Sequence, residues 1–227
     1  MDSYSGDLGS APYQNYIDHV EQRGGMVFWP HPEARSTLEP RSFFGGLVSV
    51  ASETSPHAQD LVQTSGYTGF AALYADQITA TDPGREWDQA LSQYLGGQRQ
   101  RPVWGTGDID YHVHEPGGYI HDILTVFLVR ERTRSEVLAA MRGGRMYAVR
   151  GGDEALQLLR FEAVTNTGTA VMGEHVLSSG VARIAVEIGR FDGGEDRVHV
   201  RLIRGDGDGH TQVVAQVEGI TPLEFEH

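Results

Sequence analysis

Gly105-Thr106-Gly107-Asp108-Ile109-Asp110-Tyr111-His112-Val113-His114 brings carboxylates and imidazoles together behind the short run Arg101-Pro102-Val103-Trp104. An apolar segment that breaks into glycines and then into charged residues is how a buried strand delivers side chains to the mouth of a site. Asp110 and His112 are two positions apart, so on an extended backbone they point the same way. A carboxylate oxygen and an imidazole nitrogen placed like this can hold one cation between them. Asp108 falls on the same face. The same residues would equally serve a solvated strand end, where Asp and Gly do turn chemistry.

A second group lies far upstream. Met26-Val27-Phe28 runs into Trp29-Pro30-His31-Pro32-Glu33, and the flanking prolines keep the backbone extended and out of a helix. His31 is therefore a second strand-end donor, with Glu33 close behind it. Glu53 follows another strand and is either a further ligand or an exposed residue near a helix start. His114 and His121 border the loop Glu115–Asp122 and either line the site or sit on its surface. Arg142 and Arg145 flank a glycine pair; either could grip an anionic substrate or simply complement a helix C-terminus. Asp206-x-Asp208-Gly resembles a calcium loop but lacks the full oxygen set and reads as a turn. His175 and His199 read as structural. No side chain is assigned a catalytic role.

Alternating strands and helices would position these groups. Tyr13, Tyr16, Ile17 and Val20 recur at helical spacing, and Gly24-Gly25 stops that helix before a Met26–Trp29 strand. Leu47–Val50 and Tyr67–Tyr74 read as strands, with a short helix opened by Ser55-Pro56 between them. Trp87, Leu91, Tyr94 and Leu95 mark an amphipathic helix ending at Gly96-Gly97. Ile123–Val129 is a strand, and Thr133-x-x-Glu136 caps the helix of Val137, Leu138 and Met141. Past Gly151-Gly152 the pattern becomes strands and turns. Arg183–Ile188 and Arg197–Ile203 alternate apolar with charged, and Arg204–His210 joins the latter to Thr211–Val217 as a hairpin. Three segments follow: a flexible 1–12, an α/β region 13–152 and an antiparallel β-sandwich 153–227.

The 227 residues suffice for one large or two modest domains. Hydrophobic residues are 39% and charged residues 22%, ordinary for a globular protein, and no apolar stretch is long enough to span a membrane. Met1–Asp7 is acidic and polar, unlike a signal peptide, so cytoplasmic residence is the default expectation. A net charge of −13 opposes nucleic-acid binding. All 18 basic residues are arginine, which excludes lysine Schiff-base chemistry and a Walker-type phosphate loop. With no cysteine there is neither a disulfide nor a thiolate nucleophile. No Gly-x-Ser-x-Gly elbow supports a serine hydrolase.

Gly-Gly-Met-Val-Phe-Trp-Pro-His-Pro-Glu, the Gly-Thr-Gly-x-x-Asp-x-His run, and Thr125-Val126-Phe127 through Ser135-Glu136-Val137-Leu138 to Gly144-Arg145-Met146-Tyr147 resemble the later part of a PHP (polymerase and histidinol phosphatase) domain. The likeness covers roughly residues 13 to 150 and is nearest to the carbaryl-esterase-like metallohydrolase branch. It implies a partial (β/α)7 barrel lacking its first strands; with only about five strands before residue 150, an open edge should be exposed, covered by the neighbouring domain or paired with a second copy. It further implies Zn, Mn or Fe held by His31, Asp110 and His112, and hydrolysis of a small-molecule ester or phosphoester. The family's opening His-x-His is missing, so the chain reads as a fragment or a shortened form. The competing expectation is a non-catalytic binding or assembly protein on a degenerate scaffold of this kind.

Overall fold

The computed structural model describes residues 10–30, 32, 35–43, 46–53, 58–74, 77–78, 80–109, 111, 120 and 122–227. Contacts divide the chain into two compact units, Met1–Val103 with Gly205–His210, and Trp104–Arg204 with Thr211–His227. The composition, by contrast, changes at Gly151-Gly152.

In the first unit, α1 (Ala11–Glu21) carries Pro12 in its first turn, where a missing amide costs nothing. It ends as its glycines require. Gly24 takes a φ of 71°, and the Gly25 amide donates to Val20 O at 3.0 Å, so close that a Cβ there would overlap Val20. β1 (Phe28–Trp29) follows, and then the antiparallel hairpin β2 (Arg35–Phe43) with β3 (Gly46–Glu53). After α2 (Asp60–Gln63), β4 (Gly69–Tyr74) pairs in parallel with β1 in the register Phe28 to Gly69 and Trp29 to Phe70. β4 also pairs antiparallel with the short β5 (Gln77–Ile78), and α3 (Glu86–Leu95) closes the unit.

The apolar stripes named in the sequence converge here. Ile17, Leu61, Tyr67, Phe70, Ala72, Ala80, Ala90 and Val103 form one buried cluster, and complete burial of a ring such as Phe70 contributes roughly 1.5–3 kcal/mol. Phe70 meets Trp87 edge-on at 5.6 Å, and the Trp87 indole donates to Val103 O at 2.8 Å. Gln14 ties α1 down through both ends of its amide, donating to Ser65 O at 3.1 Å and accepting from Ser65 N at 2.9 Å.

Among the described residues of this unit one cation is buried. Arg99 is 7% exposed, and its guanidinium donates to Leu61 O at 2.7 Å, Val62 O at 3.0 Å and the Gln93 side chain at 2.7 Å. It thereby satisfies carbonyls that the short α2 leaves open at its C-terminal end. The guanidinium carbon stands 5.4 Å over the Tyr67 ring, and the Tyr67 hydroxyl donates to Leu61 O at 2.6 Å.

In the second unit, β6 (Trp104–Asp108) lies against the antiparallel pair β7 (Ile123–Phe127) and β8 (Met146–Arg150), with α4 (Arg134–Gly143) connecting the pair. The cap anticipated at Thr133 forms: its hydroxyl accepts from Glu136 N at 3.3 Å. Beyond it, β9 (Leu156–Val164), β10 (Thr169–Val171), β11 (Arg183–Arg190) and β14 (Leu223–Glu226) make an antiparallel sheet ordered β10-β9-β11-β14. β12 (Arg197–Gly205) and β13 (Thr211–Ile220) form a separate two-stranded sheet. In the larger sheet Arg160, Glu187 and Glu224 lie in register on one face, and Phe161, Val186 and Phe225 on the other. Arg160 pairs with Glu224, and Arg183 with Glu226.

The partial (β/α)7 barrel does not form. Among the described residues no barrel closes, and the strands lie in small, mostly antiparallel sheets. The alternation of strands and helices was correctly placed in several segments, but it does not fix the direction of pairing. β2 pairs with β3, β4 with β5 and β7 with β8 as antiparallel neighbours, whereas a barrel of that type needs parallel ones.

Removing the buried cation tests this core. Arg99→Ala removes the donor to Val62 O and leaves Leu61 O with the Tyr67 hydroxyl alone, and should lower stability to urea by roughly 2–3 kcal/mol; Arg99→Lys, lacking the planar fork, should recover less than half. Burial also pushes the Tyr67 pKa up from 10.0 to about 12, against a smaller opposing pull from Arg99. A raised folded-state pKa stabilises fully below the unfolded value and is lost as pH rises through the folded one. Stability should therefore fall between pH 10 and 12, and Tyr67→Phe should flatten that slope in pH-dependent unfolding. With neither lysine nor cysteine in the chain, tyrosines dominate the titration in this window.

Candidate functional site

The strand that leads into Asp110 and His112 is held by its small residues. Gly107 N donates to the Thr125 hydroxyl at 2.9 Å, and that hydroxyl donates back to Gly107 O at 3.1 Å. A Cβ at position 107 would lie 2.6 Å from Leu124 O and 2.9 Å from Ile123 Cγ2. Only glycine permits this approach of β6 to β7. At the start of the strand the Trp104 indole donates to Arg142 O at 3.1 Å, at the end of α4. Gly144 follows in the left-handed region at φ 71°, and a Cβ on it would overlap the Trp104 ring. Trp104 and Gly107 thus fix both ends of the segment that puts Asp108, half-buried, at the strand terminus.

His31, Asp110 and His112, the residues read as metal ligands, lie outside the described residues, as do Glu33, His114 and His121. Glu53 is the last residue of β3, and its backbone pairs with that of Arg35 across the hairpin. Arg145 is half-buried just beyond the α4 cap. Its amide donates to Ala140 O at 3.0 Å and its carbonyl accepts from Leu128 N at 2.8 Å, so its backbone joins the helix end to β7. Of the upstream motif, Trp29 stacks edge-on against Tyr13 at 4.9 Å and faces Tyr67 at 6.3 Å. Its indole nitrogen and the Thr68 hydroxyl are buried without a hydrogen-bond partner among the described residues. Buried polar atoms in this state are where an ordered water is expected.

Asp206, Asp208 and His210 are the described donors that meet at one point, with ligand atoms all within 4.8 Å of one another. They lie in the turn between β12 and β13 and all are exposed. Asp206 Oδ1 accepts from Asp208 N at 3.0 Å and His210 N at 2.9 Å, while Oδ2 lies 3.3 Å from His210 Nδ1. Foremost the His210 amide, opposed by some desolvation, holds the Asp206 carboxyl below its ordinary range. One carboxylate oxygen is thus occupied in folding the turn. Three donors of this kind could hold a cation, but the hydrogen bonds already account for the geometry. The sequence signal for the convergence was the Asp-x-Asp-x-His spacing at the tip of a hairpin, and it was read as a turn.

If the glycine is what seats β6, Gly107→Ala should cost roughly 1–3 kcal/mol in chemical denaturation, because backbone atoms of β7 stand in the way of a methyl group. Thr125→Val should cost about 1 kcal/mol through loss of the bridging hydroxyl. Searches against protein-family models, curated proteins and solved structures found no match for this chain.

Proposed function

We propose that the chain is a metal-dependent hydrolase of small-molecule esters or phosphoesters, with His31, Asp110 and His112 as the principal ligands. The observation that carries this reading is the Asp108-x-Asp110-x-His112 spacing immediately beyond a strand, β6, whose position is set by Gly107 and Trp104. The upstream Pro30-His31-Pro32 directly follows β1, with one residue between the strand and His31. Resemblance to the later part of a PHP domain adds support from sequence alone. The proposal keeps the chemistry of that family and does not need its barrel.

The donor set fits the group. One carboxylate and two imidazoles form a mixed oxygen and nitrogen set suited to Zn, Mn or Fe and unsuited to a soft monovalent ion. His31, Asp110 and His112 would hold the divalent ion, which when bound would supply a coordinated water of pKa about 7 and a Lewis acid for the ester oxygen. The chain's own part is to fix the ligands, and a strand end held by packing does this better than a free loop. Arg145 is a candidate for holding an anionic substrate group. Glu33, Glu53, Asp108, His114 and His121 are kept as candidates for completing the coordination.

A non-catalytic binding role is the second reading. It is favoured by the apolar residues of the segment between β10 and β11, where Leu177 is 85% and Val181 is 91% exposed. Side chains of this kind gain from a partner surface.

Elemental analysis of the purified full chain separates the two. The hydrolase reading expects about one equivalent or more of Zn, Mn or Fe, lost in His31→Ala and Asp110→Ala and kept in Asp208→Ala and His210→Ala. A metal-free protein, or metal kept in both of the first two variants, overturns it and leaves the binding role. Loss confined to the last two variants also overturns it, and moves the ion to the β12–β13 turn.

A further inference from the structure

Within the second unit, a groove of about 490 Å³ runs between the end of β7 and the first turns of α4. Phe127, Val129, Val137 and Leu138 supply its apolar side chains, and Thr133, Arg132 and Arg134 border it. All four apolar residues remain only partly buried, so their surface stays available to an occupant. The two guanidiniums are exposed, and among the described residues no carboxylate pairs with either. The nearby acids do not line the groove. Glu136 turns instead toward the Arg130 amide at 3.5 Å.

Apolar walls ending in forked cations match a ligand that is apolar along its length and anionic at one end. Arg134 also stands in the first turn of α4, where the helix dipole disfavours a cation, and an anion beside it offsets that cost. The volume is that of a single small ligand, and the apolar lining is short: Phe127 at the end of β7, Val129 just beyond it, and Val137 and Leu138 on α4. An extended peptide or a helix would need a longer groove.

We infer that this groove binds a small amphipathic monocarboxylate, its chain along Phe127, Val129, Val137 and Leu138 and its carboxylate on Arg132 and Arg134. None of the residues assigned to the proposed metal chemistry lines the groove, and the inference does not depend on them. The net charge of −13 makes the local reversal of sign necessary for any such anion to bind.

Titration of the full chain with decanoate, followed by amide NMR, tests this. Saturable shifts at Phe127, Val129, Val137 and Leu138 are expected. Decanol, with the same tail and no charge, and acetate, with the charge and no tail, should each bind at least about tenfold more weakly. The double variant Arg132→Ala, Arg134→Ala should lose about tenfold in decanoate affinity with an unchanged melting temperature, since the replaced side chains are exposed and pair with no carboxylate among the described residues. Absence of saturable shifts overturns the inference, as does equal binding of decanol or unchanged affinity in the double variant. Binding to vesicles of anionic lipid without a response to free decanoate would also overturn it, in favour of a membrane surface.

Discussion

The absence of a side chain at Gly107 is the constraint on which the second unit turns. β6 comes so near to β7 that a methyl group would meet Leu124 O at 2.6 Å, and the amide and carbonyl of Gly107 share one hydroxyl on Thr125. This hydroxyl bridge is how the strands can approach with a glycine between them and leave neither backbone group of that residue unpaired. The anchor at the other end of β6 has the same logic. The flat indole of Trp104 needs a residue without a Cβ beneath it, and Gly144, already left-handed to end α4, supplies one. A helix cap and a strand anchor are therefore the same residue.

The first unit solves a different problem, the open carbonyls of a four-residue helix. A helix that short makes almost no internal bonds and needs donors from elsewhere. Arg99 brings them from 37 and 38 positions away in sequence. Burial of its charge is offset by three acceptors and by the face of Tyr67. The same burial raises the Tyr67 pKa, so the phenol and the cation mark one low-dielectric pocket by two separate consequences.

Much of the local structure was legible and the pairing was not. The Gly24-Gly25 stop, the α3 termination at Gly96-Gly97 and the Thr133 cap were each readable, because each is settled within a few residues of chain. β2 gave no signal: Arg35, Glu39, Pro40 and Arg41 interrupt the apolar pattern that identifies a strand. Missing it turned a hairpin into a lone β3 that invited a parallel neighbour. The sequence showed Gly105 and Gly107 as breaks in an apolar run, but not that one of them is a point of close approach; that depends on Leu124 and Thr125, which are remote in the chain. For the site, the motifs and their order were visible, while His31, Asp110 and His112 fall outside the described residues.

The β12–β13 turn shows why spacing of donor types cannot by itself identify a metal site. Asp206, Asp208 and His210 repeat the Asp-x-Asp-x-His order of Asp108, Asp110 and His112. At the turn, Asp206 accepts two amides and lies beside the imidazole of His210, and these bonds are local products of a tight reversal of the chain. Any cation there would have to displace or share interactions that the turn uses to fold, which weakens the gain from binding. Asp108 ends the extended strand β6, and on an extended backbone alternate side chains share a face; Asp110 and His112 lie outside the described residues. Residue types alone therefore do not set the chemistry; the backbone beneath them does. An extended backbone leaves a carboxylate its lone pairs, and a tight turn consumes them.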